Sequence, residues 1–222
     1  MDKMRKIFFA VPAALLLIMT SCEKEVISGS GETKTEKRNL DGFNRVLLEI
    51  PSEVTIEKGN GFDLEVKAYS NLLPYIETYV ENGALHIRYK NSVHIRNDNT
   101  RIYIILPQLR AIESYGSGSI TCDGTFNSTQ LDAVIRGSGN ITLGNALIEE
   151  MKVDISGSGS FKGFTSISRQ ANIFINGSGN AEISVLDKMS TTINGSGNIY
   201  YKGDPTAIEN NIRGSGKVVK QQ

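Results

Sequence analysis

The sequence is poor in the residues that small exported domains use for cross-links and for catalysis. It has no tryptophan, two histidines and two cysteines, Cys22 and Cys122, in 222 residues. Two cysteines cannot build a disulfide framework, so stability must come from packing and backbone hydrogen bonds. Basic and acidic residues number 24 each. This balance gives no attraction to nucleic acid, and we predict no nucleic-acid partner.

The first 21 residues have the three-part pattern of a secretory signal peptide. A basic start is followed by an apolar run from Ile7 to Met19, which is shorter than the roughly 20 residues of a transmembrane helix. The next residues, Thr-Ser-Cys, complete a sequence that resembles a bacterial lipobox; the alternative is an ordinary signal peptide with an incidental cysteine. We expect lipid attachment at Cys22, anchoring to the outer membrane through that lipid, and a flexible tether over residues 22–39.

A Gly-Ser-Gly triplet recurs through the C-terminal half at intervals of 21, 20, 20, 18 and 19 residues. A repeat of this length cannot bury its apolar face alone, and stacking of successive coils solves this. The sequence therefore predicts an all-β fold, a parallel β-helix or solenoid with one triplet per coil, right-handed by the rule for parallel crossovers. The glycines with this structural role are Gly116, Gly118, Gly137, Gly139, Gly157, Gly159, Gly177, Gly179, Gly195, Gly197, Gly214 and Gly216.

Alignment of the coils on the first glycine separates inward from outward positions. Isoleucine occupies the position two residues before the triplet in five of six coils, and the intervening positions are mostly polar. Each triplet is therefore flanked by β-strand with one buried face. If the alternation continues through the triplet, both glycines point inward and the serine outward. Cys122 falls in an inward column, which predicts a small buried hydrophobe rather than a reactive thiol.

Polar residues form outward columns beside the triplets. Asparagine and serine ladders, together with arginines, give a flat wall that is rich in hydrogen-bonding groups. Such a wall suits recognition of a glycan or a protein partner, and the alternative is a merely solvated face. The predicted binding surface consists of Arg136, Asn140, Asn176, Asn180, Asn194, Asn198 and Arg213.

Residues 40–110 contain strand patterns but no triplet. They are either irregular coils of the same solenoid or a strand-rich cap, since an open end of a solenoid must be blocked. We predict one mostly-β domain over residues 40–220, with the exact path of residues 40–110 left open.

The assembled features resemble the head GIN domain family, described as a "putative auto-transporter adhesin". The resemblance covers residues 40–220 and implies a β-helical fold, export and adhesion, without catalytic or binding residues to carry over. It rests on the serial triplets and on three segments: Phe43-Asn44-Arg45-Val46, Asn82-Gly83-Ala84-Leu85 and Ile104-Ile105-Leu106-Pro107.

A polysaccharide lyase or hydrolase on the same scaffold is the main alternative. Such a site needs carboxylates clustered on adjacent coils, and the outward columns place no paired acids on neighbouring coils. The acids that can approach each other elsewhere are Asp132 with Asp154 and Asp187 with Asp204. The two histidines, His86 and His94, lie at outward positions, and a metal site needs three or four ligands. We predict no enzyme activity, no cofactor and no metal.

The combined expectation is a lipid-anchored, non-enzymatic envelope protein with adhesin-like binding of a glycan or of a host or envelope protein. A second alternative is a structural or stress-related envelope component. The cell surface and the periplasmic face both stay open as locations. The open ends of a solenoid also favour a homo-oligomer.

Overall fold

The computed structural model describes residues 25–222, so the predicted signal peptide and Cys22 lie outside the described residues. The described part of the chain contains nineteen strands and one short 3₁₀ helix. None of its helices is long and apolar enough to cross a membrane.

Nine strands precede the first triplet. They are short, and the 3₁₀ helix Leu73–Tyr75 lies between the fifth and the sixth. The strands are β1 (Glu25–Ser28), β2 (Thr33–Lys37), β3 (Arg45–Leu48), β4 (Glu53–Lys58), β5 (Asp63–Tyr69), β6 (Ile76–Glu81), β7 (Ala84–Tyr89), β8 (Val93–Arg96) and β9 (Arg101–Leu106).

Ten further strands form a parallel solenoid, which has about six turns in all. Each coil runs along one wall, bends at the triplet and continues along the next wall. The strands are β10 (Ala111–Gly116), β11 (Ser119–Asp123), β12 (Phe126–Gly137), β13 (Asn140–Leu143), β14 (Ala146–Gly157), β15 (Ser160–Gly177), β16 (Asn180–Gly195), β17 (Asn198–Lys202), β18 (Ala207–Gly214) and β19 (Lys217–Lys220).

The inward isoleucine column runs along the solenoid axis. Ile135 lies beside Ile155, and Ile155 beside Ile175, in the parallel pairing of β12, β14 and β15. All three side chains are fully buried, as is Ile193 on the next coil. Equivalent residues of successive coils therefore stack in register, and the predicted solenoid and its inward column are confirmed.

The triplet bend uses its two glycines differently. Gly157 has φ +131°, and the first glycines of all six triplets lie between +121° and +135°, where a side chain is strained. Gly159 is buried, and a Cβ there would overlap the carbonyl oxygen of Gly139 on the preceding coil. A Cβ on Gly157 would likewise overlap the carbonyl oxygen of Gly137, so the close approach of the preceding coil requires glycine at both positions. The N–H groups of Ser158 and Gly159 both donate to the Gly137 carbonyl, at 2.9 and 3.1 Å.

The N-terminal half is both coil and cap. β3 and β4 pair in parallel with β10 and β11, and β7 and β9 pair in parallel with β3 and β4, which adds two layers to the solenoid. β5 then pairs antiparallel with β9, and β6 antiparallel with β7. The reversal of strand direction closes this end over Leu64, Val66 and Leu85, which are fully buried.

The segment predicted as a flexible tether, residues 22–39, is paired from Glu25 onward. β1 pairs in parallel with β8, and β2 pairs antiparallel with β5. Arg38 donates to the Ile76 carbonyl at 2.8 Å. All five residues of β2 are exposed, and the polar composition that is typical of a tether also suits an edge strand. The tether prediction is therefore wrong for these residues.

The opposite end differs from the cap. Within residues 25–222, β18 pairs only with β16, and β19 only with β17. All eight residues of β18 are exposed.

Candidate functional site

One wall of the solenoid presents a flat surface that we call the polar face. It is formed by the outward residues of β12, β14, β15, β16 and β18, because period-2 alternation puts every second residue on the same side. The register aligns them in three columns. The polar face consists of Asp132, Val134, Arg136, Lys152, Asp154, Ser156, Asn172, Phe174, Asn176, Ser190, Thr192, Asn194, Glu209, Asn211 and Arg213.

Phe174 is the aromatic residue at the centre of the polar face, and 36% of it is exposed. Asn172 and Asn176 flank it on β15, and Thr192 lies beside it on the next coil. Phe174 is not part of the buried core, so burial in the core does not explain it. An apolar ring between amide groups offers a flat apolar contact beside hydrogen-bond donors and acceptors. A pyranose ring has the matching combination of a C–H face and peripheral hydroxyls.

One bidentate ion pair and one hydrogen bond fix polar side chains beside this ring. Arg136 donates to both carboxylate oxygens of Asp154 at 2.9 Å and to the Ser156 hydroxyl. A bidentate pair holds both side chains in a fixed geometry. The face therefore presents preformed rather than mobile polar groups next to Phe174.

A shallow cavity of about 460 Å³ continues the wall toward the cap. Arg45 donates to Glu113 at 2.7 Å, and the Tyr115 hydroxyl donates to the other Glu113 oxygen at 3.0 Å. Burial and the Glu113 carboxylate raise the pKa of Tyr115, so its hydroxyl stays protonated at neutral pH and remains a hydrogen-bond donor.

The structure brings four of the seven predicted binding residues together. Arg136, Asn176, Asn194 and Arg213 form one column of the polar face, which also contains Ser156. Phe174 was missed by the binding-surface prediction. Its signal in the sequence is an aromatic residue at an outward position of the repeat.

The other three predicted residues lie beyond the triplet bend, on the next wall. Asn140 accepts the N–H of Ser160 at 3.2 Å, and Asn180 accepts the N–H of Asn198 at 2.9 Å. Asn198 in turn accepts the N–H of Lys217 at 3.1 Å. These amides join each coil to the next, so the structure gives them a role in the solenoid itself.

An apolar stripe crosses three coils on a different wall. Its residues, Leu147, Ile167 and Leu186, are 56%, 41% and 50% exposed and line a cavity of about 460 Å³. Arg169 borders the stripe and contacts Asp187 at 2.9 Å. Three large aliphatic side chains in one exposed cluster are a feature that marks contact surfaces.

A polar cleft of about 580 Å³ lies at the cap. Lys67 faces Arg101 directly across the pairing of β5 and β9, and Arg101 contacts Glu53 at 3.0 Å. Asp98 accepts hydrogen bonds from the Thr100 backbone N–H and from the Tyr89 hydroxyl. Burial, followed by the hydrogen bond to Asp98, raises the pKa of Tyr89. Positive and negative groups balance in this cleft, so it offers no net charge to a ligand.

The acids considered for catalysis are engaged in local contacts. Asp132 accepts from the Gln130 side chain at 3.1 Å, whereas the other three are ion-paired: Asp154 with Arg136, Asp187 with Arg169 and Asp204 with Lys220. Residues 25–222 contain no group of three or more His, Cys, Asp or Glu side chains that could hold a metal ion.

The remaining reactive side chains lie apart from the polar face. His86 stacks on Tyr79 with ring centroids 4.8 Å apart, and His94 is exposed. Cys122 is fully buried, which confirms the expectation of a small core residue. Burial raises the pKa of its thiol, and a thiol without thiolate character is a poor nucleophile.

Several solved structures share this architecture. A putative adhesin from Bacteroides fragilis NCTC 9343 is 19% identical, covers 88% of this chain and 100% of its own, and has a TM-score of 0.68. A "putative lipid binding protein" from Parabacteroides distasonis ATCC 8503 is 24% identical, with 89% and 100% coverage and a TM-score of 0.58. A putative adhesin from Parabacteroides merdae ATCC 43184 is 17% identical, with 89% and 100% coverage and a TM-score of 0.59. At these identities the likeness shows the fold alone.

No curated protein matches the chain. The family model described as "Putative auto-transporter adhesin, head GIN domain" matches residues 42–205, which is well over half of the sequence. The resemblance inferred from the triplets is thereby confirmed, and this chain belongs to the head GIN domain family.

Proposed function

We propose that this chain is a lipid-anchored, non-enzymatic adhesin of the bacterial envelope that binds a glycan through the polar face. The observation that carries the proposal is Phe174, an exposed ring between Asn172 and Asn176 on a wall of stacked strands. The family description and the adhesin descriptions of the solved relatives support adhesion. Lipid attachment at Cys22 and an outer-membrane location belong to the proposal and rest on the pattern of residues 1–22.

The rigidity of the wall favours binding through it. Its strands pair with neighbours over long registers, and β14 and β15 alone share eleven aligned residue pairs. A ligand that binds preformed groups orders few side chains, so little conformational entropy opposes association. A flat and shallow surface without a deep cavity suits an extended glycan chain better than a small molecule.

Glycan binding is tested on an array, followed by calorimetry with the glycan that binds best. We expect Phe174→Ala to weaken binding about 10-fold, which corresponds to roughly 1.4 kcal/mol, because the stacking surface is lost. Leu186→Ala removes a similarly exposed apolar side chain from a different wall and is the matched control. Unchanged affinity in Phe174→Ala, or an equal loss in the control, contradicts the assignment of the polar face.

Location is tested by adding protease to intact producing cells, with lysed cells as the control. The proposed adhesin is exposed on the cell surface, so the intact protein should disappear from whole cells. Protection in whole cells with cleavage after lysis contradicts the adhesin proposal and favours a structural or stress-related envelope component.

A second candidate function is binding of an apolar ligand at the stripe formed by Leu147, Ile167 and Leu186, which is supported by their exposure. Binding of a fluorescent fatty acid that is lost in Leu186→Asp and kept in Phe174→Ala would favour this function.

The catalytic alternative is tested by release of reducing ends or unsaturated products from polysaccharides. Turnover that is abolished by one carboxylate substitution would overturn the non-enzymatic proposal.

A further inference from the structure

The C-terminal coil exposes apolar groups that every earlier coil covers. Ile208 and Ile212 belong to inward columns of the repeat, yet they are 39% and 41% exposed. Their register partners on β16, Met189 and Ile193, are fully buried. The difference arises because no described strand lies on the outer side of β18.

The outer edge of β18 also carries unpaired backbone groups. Gly195 and Gly214 are register partners, and the Gly195 carbonyl accepts the N–H of Ser215 at 3.0 Å. In a parallel ladder this geometry directs the odd-numbered residues of β18 toward β16. The N–H and C=O groups of Ile208, Asn210 and Ile212 therefore point to the free edge, where another strand can bind.

The capped end cannot supply that strand by continuing the parallel stack. Antiparallel strands β5 and β6 close the first coils, as described above. A head-to-tail contact between copies has no matching parallel edge to use. An isologous contact, in which the same edge meets itself about a twofold axis, has no such obstacle.

We infer that β18 pairs antiparallel with β18 of a second copy, with the twofold axis at Asn211. In this register Glu209 lies directly opposite Arg213 of the partner subunit, and the symmetric pair forms on the other side of the axis. Neither Glu209 nor Arg213 forms an ion pair with the described residues of its own chain. Opposite charges directly across an antiparallel pair stabilise it.

The register follows from two constraints. The edge-facing residues must oppose one another so that their backbone groups can bond. Of the registers that satisfy this and lie near the strand centre, an axis at Asn210 places Glu209 against Asn211 of the partner subunit, and an axis at Ile212 places it against Ser215 of the partner subunit. Of these registers, only the axis at Asn211 forms two opposite-charge pairs.

The dimer has a consequence for binding. Because β18 belongs to the wall that carries the polar face, pairing joins the polar faces of two copies into one continuous surface. Two linked sites on one surface raise avidity for a repeating ligand without new contacts. The dimer itself does not depend on the ligand, so its test is independent of glycan binding.

The test is disulfide trapping in the full chain, on membranes from producing cells. Asn211→Cys places two cysteines opposite each other at a non-hydrogen-bonded position, about 4.5 Å apart at Cα, within the range that a disulfide spans. We expect a cross-linked dimer on non-reducing gels after mild oxidation. Asn172→Cys is the matched control, because it is an exposed asparagine on the same face two coils away. Equal cross-linking of both variants overturns the proposal.

Charge reversal in the Asn211→Cys chain tests the register. Glu209→Arg and Arg213→Glu should each lower dimer yield several-fold, because each sets like charges opposite one another. The combination of both reversals should restore the yield, since it exchanges the two charges and keeps their pairing. Reversals without effect, or a double variant no better than the singles, overturn the proposed register.

Discussion

The two ends of the solenoid differ in how the outermost coil is covered. At the N-terminal end, antiparallel strands cover the first coils, and Arg38 fastens them through hydrogen bonds to the Ile76 and Leu73 carbonyls at 2.8 and 3.4 Å. At the C-terminal end, Ile212 is 41% exposed, and no strand of residues 25–222 pairs with the outer edge of β18. A parallel repeat contains no signal that ends it, so closure requires either a reversal of strand direction or a partner.

The first way to test this comparison is to place a charge in the same column at the centre and at the open end. Ile175 is fully buried, whereas Ile212 is exposed. Ile175→Asp buries an unpaired carboxylate at a cost of several kcal/mol, comparable to a total stability of about 5–15 kcal/mol. We expect it to prevent folding, and Ile212→Asp to cost less than about 1 kcal/mol in the monomer.

Circular dichroism and urea unfolding measure the difference. Ile175→Val is the control for loss of volume, with an expected cost of about 0.5–1.5 kcal/mol. A folded and soluble Ile175→Asp protein would show that the inward column is assigned wrongly. Severe destabilisation by Ile212→Asp would show that the last coil is packed as firmly as the central ones.

The second test compares one arginine at each end. Arg38 is 19% exposed and donates to Ile76, Thr78 and Leu73. Arg38→Ala removes the guanidinium donor from the Ile76 carbonyl, whereas the Leu73 carbonyl keeps the Ile76 N–H, so we expect a loss of about 1–3 kcal/mol in the free energy of unfolding. Arg213→Ala removes an exposed side chain at the open end and should cost less than about 0.5 kcal/mol in the monomer. Equal losses in urea melts at low protein concentration would contradict the comparison.

The coils were predictable because the repeat specifies both which residues face inward and how neighbouring coils align. Ile135, Ile155 and Ile175 share both a period-2 position and a distance from the triplet, so the inward face and the register follow together. The cap shows the period-2 alternation but has no repeated triplet from which a register can be counted. Leu64 and Val66 indicate a strand with one buried face, but alternation does not specify whether the strand runs parallel or antiparallel to its neighbour.

The candidate site was predictable to the same extent. Parity placed Asn176 and Asn194 on one wall, as the structure does. Alternation shows that a residue faces outward, but it does not show where the chain bends from one wall to the next or which group a side-chain amide contacts. The predicted binding surface therefore includes Asn180, although its side chain accepts a hydrogen bond from the next coil. Phe174 is absent from the predicted surface because that prediction selects polar residues; its outward position is a signal in the sequence, and its exposure in the structure identifies it.

The third test has the smallest effect on stability and reports on local opening. Cys122 is buried on β11, which β4 and β9 separate from the cap strand β5. Burial raises the pKa of its thiol, so almost no thiolate forms at pH 8. With Cys22→Ser, Cys122 is the only thiol, and we expect an aromatic disulfide reagent to label it only as the protein unfolds. Val218→Cys in a chain with Cys22→Ser and Cys122→Ala places the one thiol in an inward column of the last coil, where Val218 is partly exposed. This thiol should react within the native protein, faster as pH rises toward its ordinary pKa of about 8.5. Fast native labelling of Cys122 would mean that the third layer from the cap opens as readily as the C-terminal end, and the cap would then have no protective role for the coils behind it.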